Sequence, residues 1–180
     1  MKGRQLTLPA IAAMVCVPLS AQDVQPIKAS YAMTAAASAE AEIGDARFVQ
    51  LWTSDPEVFT ARWTGEGADE RTLAKAARRG EMLQMFIAID GCRRDRRGTC
   101  FLQGNFQLRR PDGSPDGEPI SFTAWQGKAP AEGRLALSSA NIGAFIAEGD
   151  PAGEYTATLT ITDVVARRSG TSTVVLTFTD

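Results

Sequence analysis

The strongest constraint on the fold is a two-residue alternation near the C-terminus. From residue 155 to residue 162 every odd position is apolar and every even position is threonine. Val174, Leu176 and Phe178 repeat the pattern a few residues later. A period of two is that of a strand with one buried face, whereas a helix would repeat every 3.6 residues. The C-terminal part of the chain is therefore predicted to form two long β-strands.

Shorter segments upstream carry the same signal. Residues 82–89 are almost wholly apolar, which predicts a central strand buried on both faces. Residues 102–108 and 120–124 alternate, and 134–137 and 142–146 are two further short candidates. Pro/Gly turns separate these segments, and no parallel βαβ rhythm is present. The predicted fold class is all-β, a single antiparallel β-sandwich of about seven strands at residues 46–180.

The N-terminal part of that domain carries one helical signal. Asp55, Pro56 and Glu57 supply an N-cap acid, a proline at the first position and an acid in the first turn, so they predict a short helical insert. Residues 73–79 also have good helix propensity. Residues 22–45 are rich in Ala and Ser, which predicts a flexible lead-in with a marginal helix around 35–42.

Residues 1–21 have the three parts of a cleavable signal peptide. Lys2 and Arg4 precede an apolar stretch, and the small residues Ser20 and Ala21 precede Gln22. Cleavage after Ala21 would leave no transmembrane span in the mature chain. We therefore expect a periplasmic or secreted protein.

Cys92 and Cys100 are the two cysteines that remain after such cleavage. An even pair in an exported chain predicts a disulfide. The seven residues between them fit a hairpin loop, and the two cysteines are expected to be too close in sequence to join two sheets. The spacing does not match a redox-active C-x-x-C pair.

The loop between the cysteines is the main candidate for a binding site. It carries four arginines, at positions Arg93, Arg94, Arg96 and Arg97. Guanidinium groups on a closed loop would bind phosphate, carboxylate or sulfate. A solvated loop tip that keeps the protein soluble is the other interpretation.

Trp52, Trp63 and Trp125 are either core residues or a platform for stacking sugars. Trp125 precedes a Pro/Gly-containing loop, so it is the one most expected to be exposed.

The sequence gives little support for a catalytic function, because the 180-residue chain contains no histidine. Triads with an imidazole base and the usual imidazole ligands of metals are thereby excluded. Asp112, Asp116 and Glu118 lack EF-hand spacing and fit a turn. Asp150, Glu154 and Asp163 could flank one end of a sandwich, which leaves a carboxylate hydrolase as a minor alternative. No metal or cofactor is expected, and a formal net charge of −2 argues against a general nucleic-acid binder.

One family resemblance adds to these expectations. The turn Pro151, Gly153, Tyr155, the threonine-alternating strand and the closing strand resemble the end of immunoglobulin-like and macroglobulin-type domains. The turn at 110–113 is similar to that group as well. The resemblance implies an Ig-like sandwich that binds, braces or chaperones other molecules, and it carries over no catalytic residue.

The function predicted from the sequence is that of an exported, non-catalytic binding or structural accessory module of the cell envelope. Its partner is expected to be another envelope protein or an anionic envelope component. An alternative is a periplasmic chaperone or assembly factor that accepts a client strand along the edge of residues 155–162.

Overall fold

The computed structural model describes residues 37–44, 46–131 and 133–180. The predicted signal peptide and residues 22–36 of the predicted lead-in lie outside the described residues. The described chain is mostly β, with one α-helix, one 3₁₀-helix and nine strands. The strands are β1 Ser38–Ile43, β2 Ala46–Thr53, β3 Ala76–Arg78, β4 Leu83–Asp90, β5 Thr99–Arg109, β6 Ile120–Lys128, β7 Ala136–Ala144, β8 Gly153–Asp163 and β9 Arg168–Thr179. The helices are α1 Pro56–Ala61 and the 3₁₀-helix Glu70–Thr72.

These strands form two sheets. The first has the order β1-β2-β4-β7 and is antiparallel throughout. The second has the order β3-β9-β8-β5-β6 and is antiparallel except for the three-residue parallel pair of β3 with β9. The all-β prediction is confirmed, with nine strands in place of about seven.

The main core lies between the two sheets. Trp52 of the first sheet is fully buried, and its ring centroid lies 6.1 Å from that of Phe106 in the second. In β4, Met85, Ile87 and Ile89 belong to this core. The intervening Phe86 and Ala88 belong to a smaller core on the outer face of the first sheet. The prediction of a central strand buried on both faces is therefore confirmed.

The helical insert supplies that outer core. Asp55 caps α1, and its carboxylate accepts a hydrogen bond from the backbone N–H of Val58 at 3.0 Å. Phe59 from α1 stacks on Phe86 at a centroid distance of 4.6 Å. The predicted helix start is confirmed, and the insert covers one face of the first sheet.

Residues predicted as a flexible lead-in partly belong to the domain. Residues 38–43 form β1, so the predicted domain start at 46 and the predicted helix around 35–42 are wrong over these positions. Ala39, Ala41 and Ile43 face the main core while Glu40 and Glu42 are exposed. The alternation was present in the sequence, but the alanines made it weak, and pairing with β2 overrides their helix propensity.

Two other local predictions are corrected in the same way. Residues 76–78, within the helix-prone segment, form β3 against the last strand. Residues 136–144 form the single strand β7, which replaces the two short candidates at 134–137 and 142–146.

The edges of the sheets bear on function. β8 lies between β9 and β5, so the prediction that residues 155–162 offer an open edge is wrong. The edge strands are β1 and β7 of the first sheet and β3 and β6 of the second. β1 packs closely against β9, where a side chain at Gly170 would collide with the carbonyl of Glu42. On the other side, β6 and β7 are joined by a 2.6 Å hydrogen bond from the Ser138 hydroxyl to the Ala124 carbonyl.

Candidate functional site

The four-arginine loop is the connection between the two sheets. β4 ends in the first sheet at Asp90 and β5 begins in the second at Thr99, and these two strands do not pair. The predicted disulfide between Cys92 and Cys100 is present, with a Cα–Cα distance of 6.1 Å. The expectation of a hairpin that could not join two sheets is therefore wrong. The disulfide fastens the end of one sheet to the start of the other.

Asp95 orders the loop from within. Its carboxylate accepts hydrogen bonds from the backbone N–H groups of Arg97 at 2.8 Å and Thr99 at 3.0 Å. Its own N–H donates to the Thr99 carbonyl at 2.7 Å. The hydrogen bond from the Thr99 backbone, followed by that from Arg97, lowers the pKa of Asp95 below its usual range. The loop therefore has a defined backbone as well as a covalent closure.

A buried carboxylate anchors the loop to the rest of the domain. Asp163 ends β8 and is 1% exposed. It accepts a 2.7 Å hydrogen bond from the backbone N–H of Arg93 and a 2.8 Å hydrogen bond from that of Ala166. The sequence analysis grouped this residue with Asp150 and Glu154 as acids that could flank one end of a sandwich, and it missed the anchoring role. The alternation up to residue 162 placed the next position on the inner face, which was the available signal.

The side chains of Arg93, Arg94, Arg96 and Arg97 are all exposed. None of them forms a salt bridge with another described residue, whereas Arg62, Arg71 and Arg79 elsewhere do. The guanidinium groups of the loop are thus held on an ordered backbone and remain available to an external anion.

Further basic residues lie at the same end of the molecule. The Cα of Lys128 at the end of β6 pairs with that of Thr99. Arg167 is the last residue of the turn that follows Asp163, and Arg168 is the first residue of β9. We call this surface the basic pole: Arg93, Arg94, Arg96, Arg97, Lys128, Arg167 and Arg168. Val164 and Val165 in the same turn are 38% and 36% exposed. A surface that mixes arginine with exposed apolar side chains has the composition of a protein interface.

The tryptophans do not form a common platform. Trp52 is in the main core, and Trp63 packs on Phe59 in the outer core. Trp125, the predicted exposed aromatic, is half-buried against the main core, and its indole N–H donates to the Lys128 carbonyl at 3.0 Å. Its ring is therefore only partly available for stacking.

The acids considered for catalysis are dispersed. Asp163 lies at the basic pole, whereas Asp150 and Glu154 lie at the other end of β8, about 30 Å away at 3.3 Å per residue. The expectation that the three flank one end is therefore wrong. Paired carboxylates act on glycosides at separations below about 10 Å.

The predicted turn acids have structural partners. Asp116 forms a salt bridge with Arg110, and Asp112 accepts hydrogen bonds from the backbone and hydroxyl of Ser114. Among the described residues, no three His, Cys, Asp or Glu side chains are grouped as a metal site would require.

No protein-family model matches the chain, and no curated protein matches it. In the described part of the chain, no helix is long and apolar enough to span a membrane.

Proposed function

We propose that this protein is an exported, non-catalytic binding module of the cell envelope that binds an acidic surface of another envelope protein through the basic pole. The observation that carries the proposal is the ordered, exposed arginine loop. Four guanidinium groups stand on a backbone closed by the Cys92–Cys100 disulfide and anchored by Asp95 and Asp163. Such a loop loses little conformational entropy on binding, which favours affinity.

The export part of the proposal depends on the N-terminal pattern. The disulfide supports it, because disulfides form in oxidising compartments such as the periplasm or the extracellular space. The hydroxyl of Tyr155 donates to the Pro151 carbonyl at 2.8 Å, a contact like the tyrosine corner of Ig-like sandwiches, and it supports membership of that group.

A protein partner fits this surface better than a simple anion. Val164 and Val165 adjoin Arg167, so part of the contact area is apolar. Interfaces between proteins combine arginine with apolar side chains, whereas a small anion would use only the charges.

The test is crosslinking and pull-down of the tagged protein from its own envelope fraction. In the test variant, Arg93, Arg94, Arg96 and Arg97 are all replaced by glutamine. Its control replaces four other exposed cations, Lys75, Arg78, Arg109 and Arg134; because Arg109 and Arg134 donate to the Gly113 and Thr64 carbonyls, the melting temperature of the control is measured as well. Because the loop arginines are exposed and form no salt bridge among the described residues, the melting temperature of the test variant should stay within about 2 °C of wild type.

We expect the wild type and the control to recover the same protein, and the loop variant to recover at least tenfold less. Removing four charges from a steering surface should also remove most of the salt dependence of binding. Equal recovery by the loop variant, or an equal loss in the control, contradicts the proposal. Binding of wild type to phosphatidylglycerol vesicles without any protein partner would overturn it in favour of a lipid ligand.

A further inference from the structure

A second surface lies at the opposite end of the molecule, where β6 and β7 separate. Each edge strand carries a bulge in the middle, between Leu102 and Gln103 on the β5–β6 side and between Phe86 and Ala88 on the β4–β7 side. The Ser138 hydrogen bond joins the two bulged regions. Beyond this point the strands leave a cleft of about 150 Å³.

Most of the residues that line the cleft are apolar. Phe106 and Leu108 reach it from the main core, and Ile120 and Phe145 line it with 49% and 53% of their surface exposed. Ile120 and Phe145 therefore offer apolar contact area to a side chain that enters the cleft. The cleft is open to solvent, and its volume of about 150 Å³ is enough for a single leucine or aromatic side chain.

The strand beside the cleft is the edge strand β6, which is paired on one side only. Residues 120–123 of β6 pair with β5 on one side, and no described strand pairs with them on the other. An edge strand presents free backbone N–H and C=O groups, which an extended polypeptide can pair with by β-augmentation.

The charged side chains that line the cleft are negative, and Arg109 and Arg110 lie nearby at the end of β5. Asp116 and Glu118 are the charged residues that line the cleft. A neighbouring cleft has Glu81 as its charged lining residue, and Met82 of that cleft lies over Gly143 of the first. Asp116 is neutralised by Arg110, but Glu118 and Glu81 form no salt bridge with another described residue. Glu118 and Glu81 therefore offer negative charge to a cation bound beside the cleft.

We propose that this cleft accepts an extended, basic segment of a partner polypeptide. The segment adds a strand along residues 120–123 of β6 and places one leucine-sized or aromatic side chain between Ile120 and Phe145. A lysine or arginine of the segment lies against Glu118. This surface is separate from the basic pole, so the inference does not depend on the function proposed above.

The experiment uses three end-blocked peptides titrated into the purified ¹⁵N-labelled protein. The first, KTVTLTVK, alternates small β-formers around one leucine and has basic ends. The second, ETVTLTVE, reverses the charges, and the third, KTPTLTPK, cannot pair as a strand. We expect the first peptide to shift the amide signals of residues 120–123 and to bind about fivefold to tenfold tighter than the second, as two rim charges allow. The proline peptide should not bind.

Two variants with matched controls locate the contact. Glu118→Lys should reverse the preference between the first two peptides, whereas Glu66→Lys, on a distant exposed loop, should leave it unchanged. Phe145→Ala should weaken the first peptide about fivefold, since an aromatic contact of this kind is lost. Val175→Ala removes an exposed apolar side chain from β9 and should have no effect.

Absence of shifts at residues 120–123 with the basic peptide overturns the proposal. Binding of the proline peptide at equal strength excludes strand addition, and equal binding of the acidic peptide excludes the cationic occupant. If Glu118→Lys does not change the preference for the basic over the acidic peptide, the contact between Glu118 and a cation of the segment is excluded.

Discussion

Replacing Asp163 tests whether one buried carboxylate holds the arginine loop in place. The carboxylate is 1% exposed and accepts backbone N–H bonds from Arg93 and Ala166. A hydrogen bond to a charged group contributes about 1.5–3 kcal/mol net. Two such bonds sum to roughly 3–6 kcal/mol, and neighbours in one network are not fully additive. We therefore expect Asp163→Ala to lower the free energy of unfolding by about 3–4 kcal/mol.

Asp163→Asn separates the charge from the shape of the side chain. The amide oxygen can accept from one N–H group, but the NH₂ group then faces the other as a second donor. We therefore expect Asp163→Asn to lower the free energy of unfolding by about 2 kcal/mol, about half of the loss in the alanine variant. For a domain of this size, the loss in the alanine variant corresponds to a fall in melting temperature of roughly 6–16 °C.

The assay is urea denaturation followed by tryptophan fluorescence, which the fully buried Trp52 reports. Asp112→Asn is the matched control, because Asp112 also accepts two hydrogen bonds but is exposed, and it should cost less than about 1 kcal/mol. Hydrogen exchange at residues 93–97 should accelerate in Asp163→Asn more than exchange within β9. Losses at Asp163 no larger than in the control would refute the reasoning.

Two other predictions concern the disulfide and an exposed ion pair. Replacing Cys92 and Cys100 by serine should lower the free energy of unfolding by about 2.5 kcal/mol, because the disulfide reduces the entropy of the unfolded chain by the amount expected for a loop this short. A loss below about 1 kcal/mol in urea denaturation would contradict this prediction. The side-chain hydrogen bond from Arg71 lowers the pKa of Asp69 from 3.8 to about 2. Because the folded pKa lies below the unfolded one, this contribution to stability is present above pH 3.8 and is lost as the pH falls through about 2. A ¹³C NMR titration should give that value in wild type and a value nearer 3.8 in Arg71→Ala, and an Asp69 pKa near 3.8 in wild type would be the contrary result.

The sequence predicted the strands whose apolar residues are large. β4, β5, β8 and β9 follow from their periodicity, because leucine, isoleucine and phenylalanine mark the buried face. β1 and β3 were missed because their inward residues are mainly alanine, which is typical of helices as well. Their strand conformation comes from pairing with β2 and β9, which local sequence does not specify.

Local sequence patterns do not show which of the two sheets a strand joins. β4 and β5 are separated by eight residues, a spacing that fits a hairpin loop, yet they belong to different sheets. The disulfide between Cys92 and Cys100 was therefore predicted correctly, but the loop that it closes connects two sheets and not two strands of one hairpin. The anchoring by Asp163 depends on a contact 70 positions distant in sequence, so only the tertiary structure reveals it.

The two proposed surfaces follow from one property of the fold. The exposed arginines of the 93–97 loop lie at one end of the sheets, and the acids Glu118 and Glu81 lie at the other end, where Arg109 and Arg110 also lie. A net charge of −2 hides this separation, so overall composition gives no information on it. Because the surfaces lie at opposite ends of the strands, an acidic and a basic partner can bind together without competition. The four-arginine variant should accordingly keep the full response to the basic peptide, and Glu118→Lys should keep the envelope partner of the basic pole.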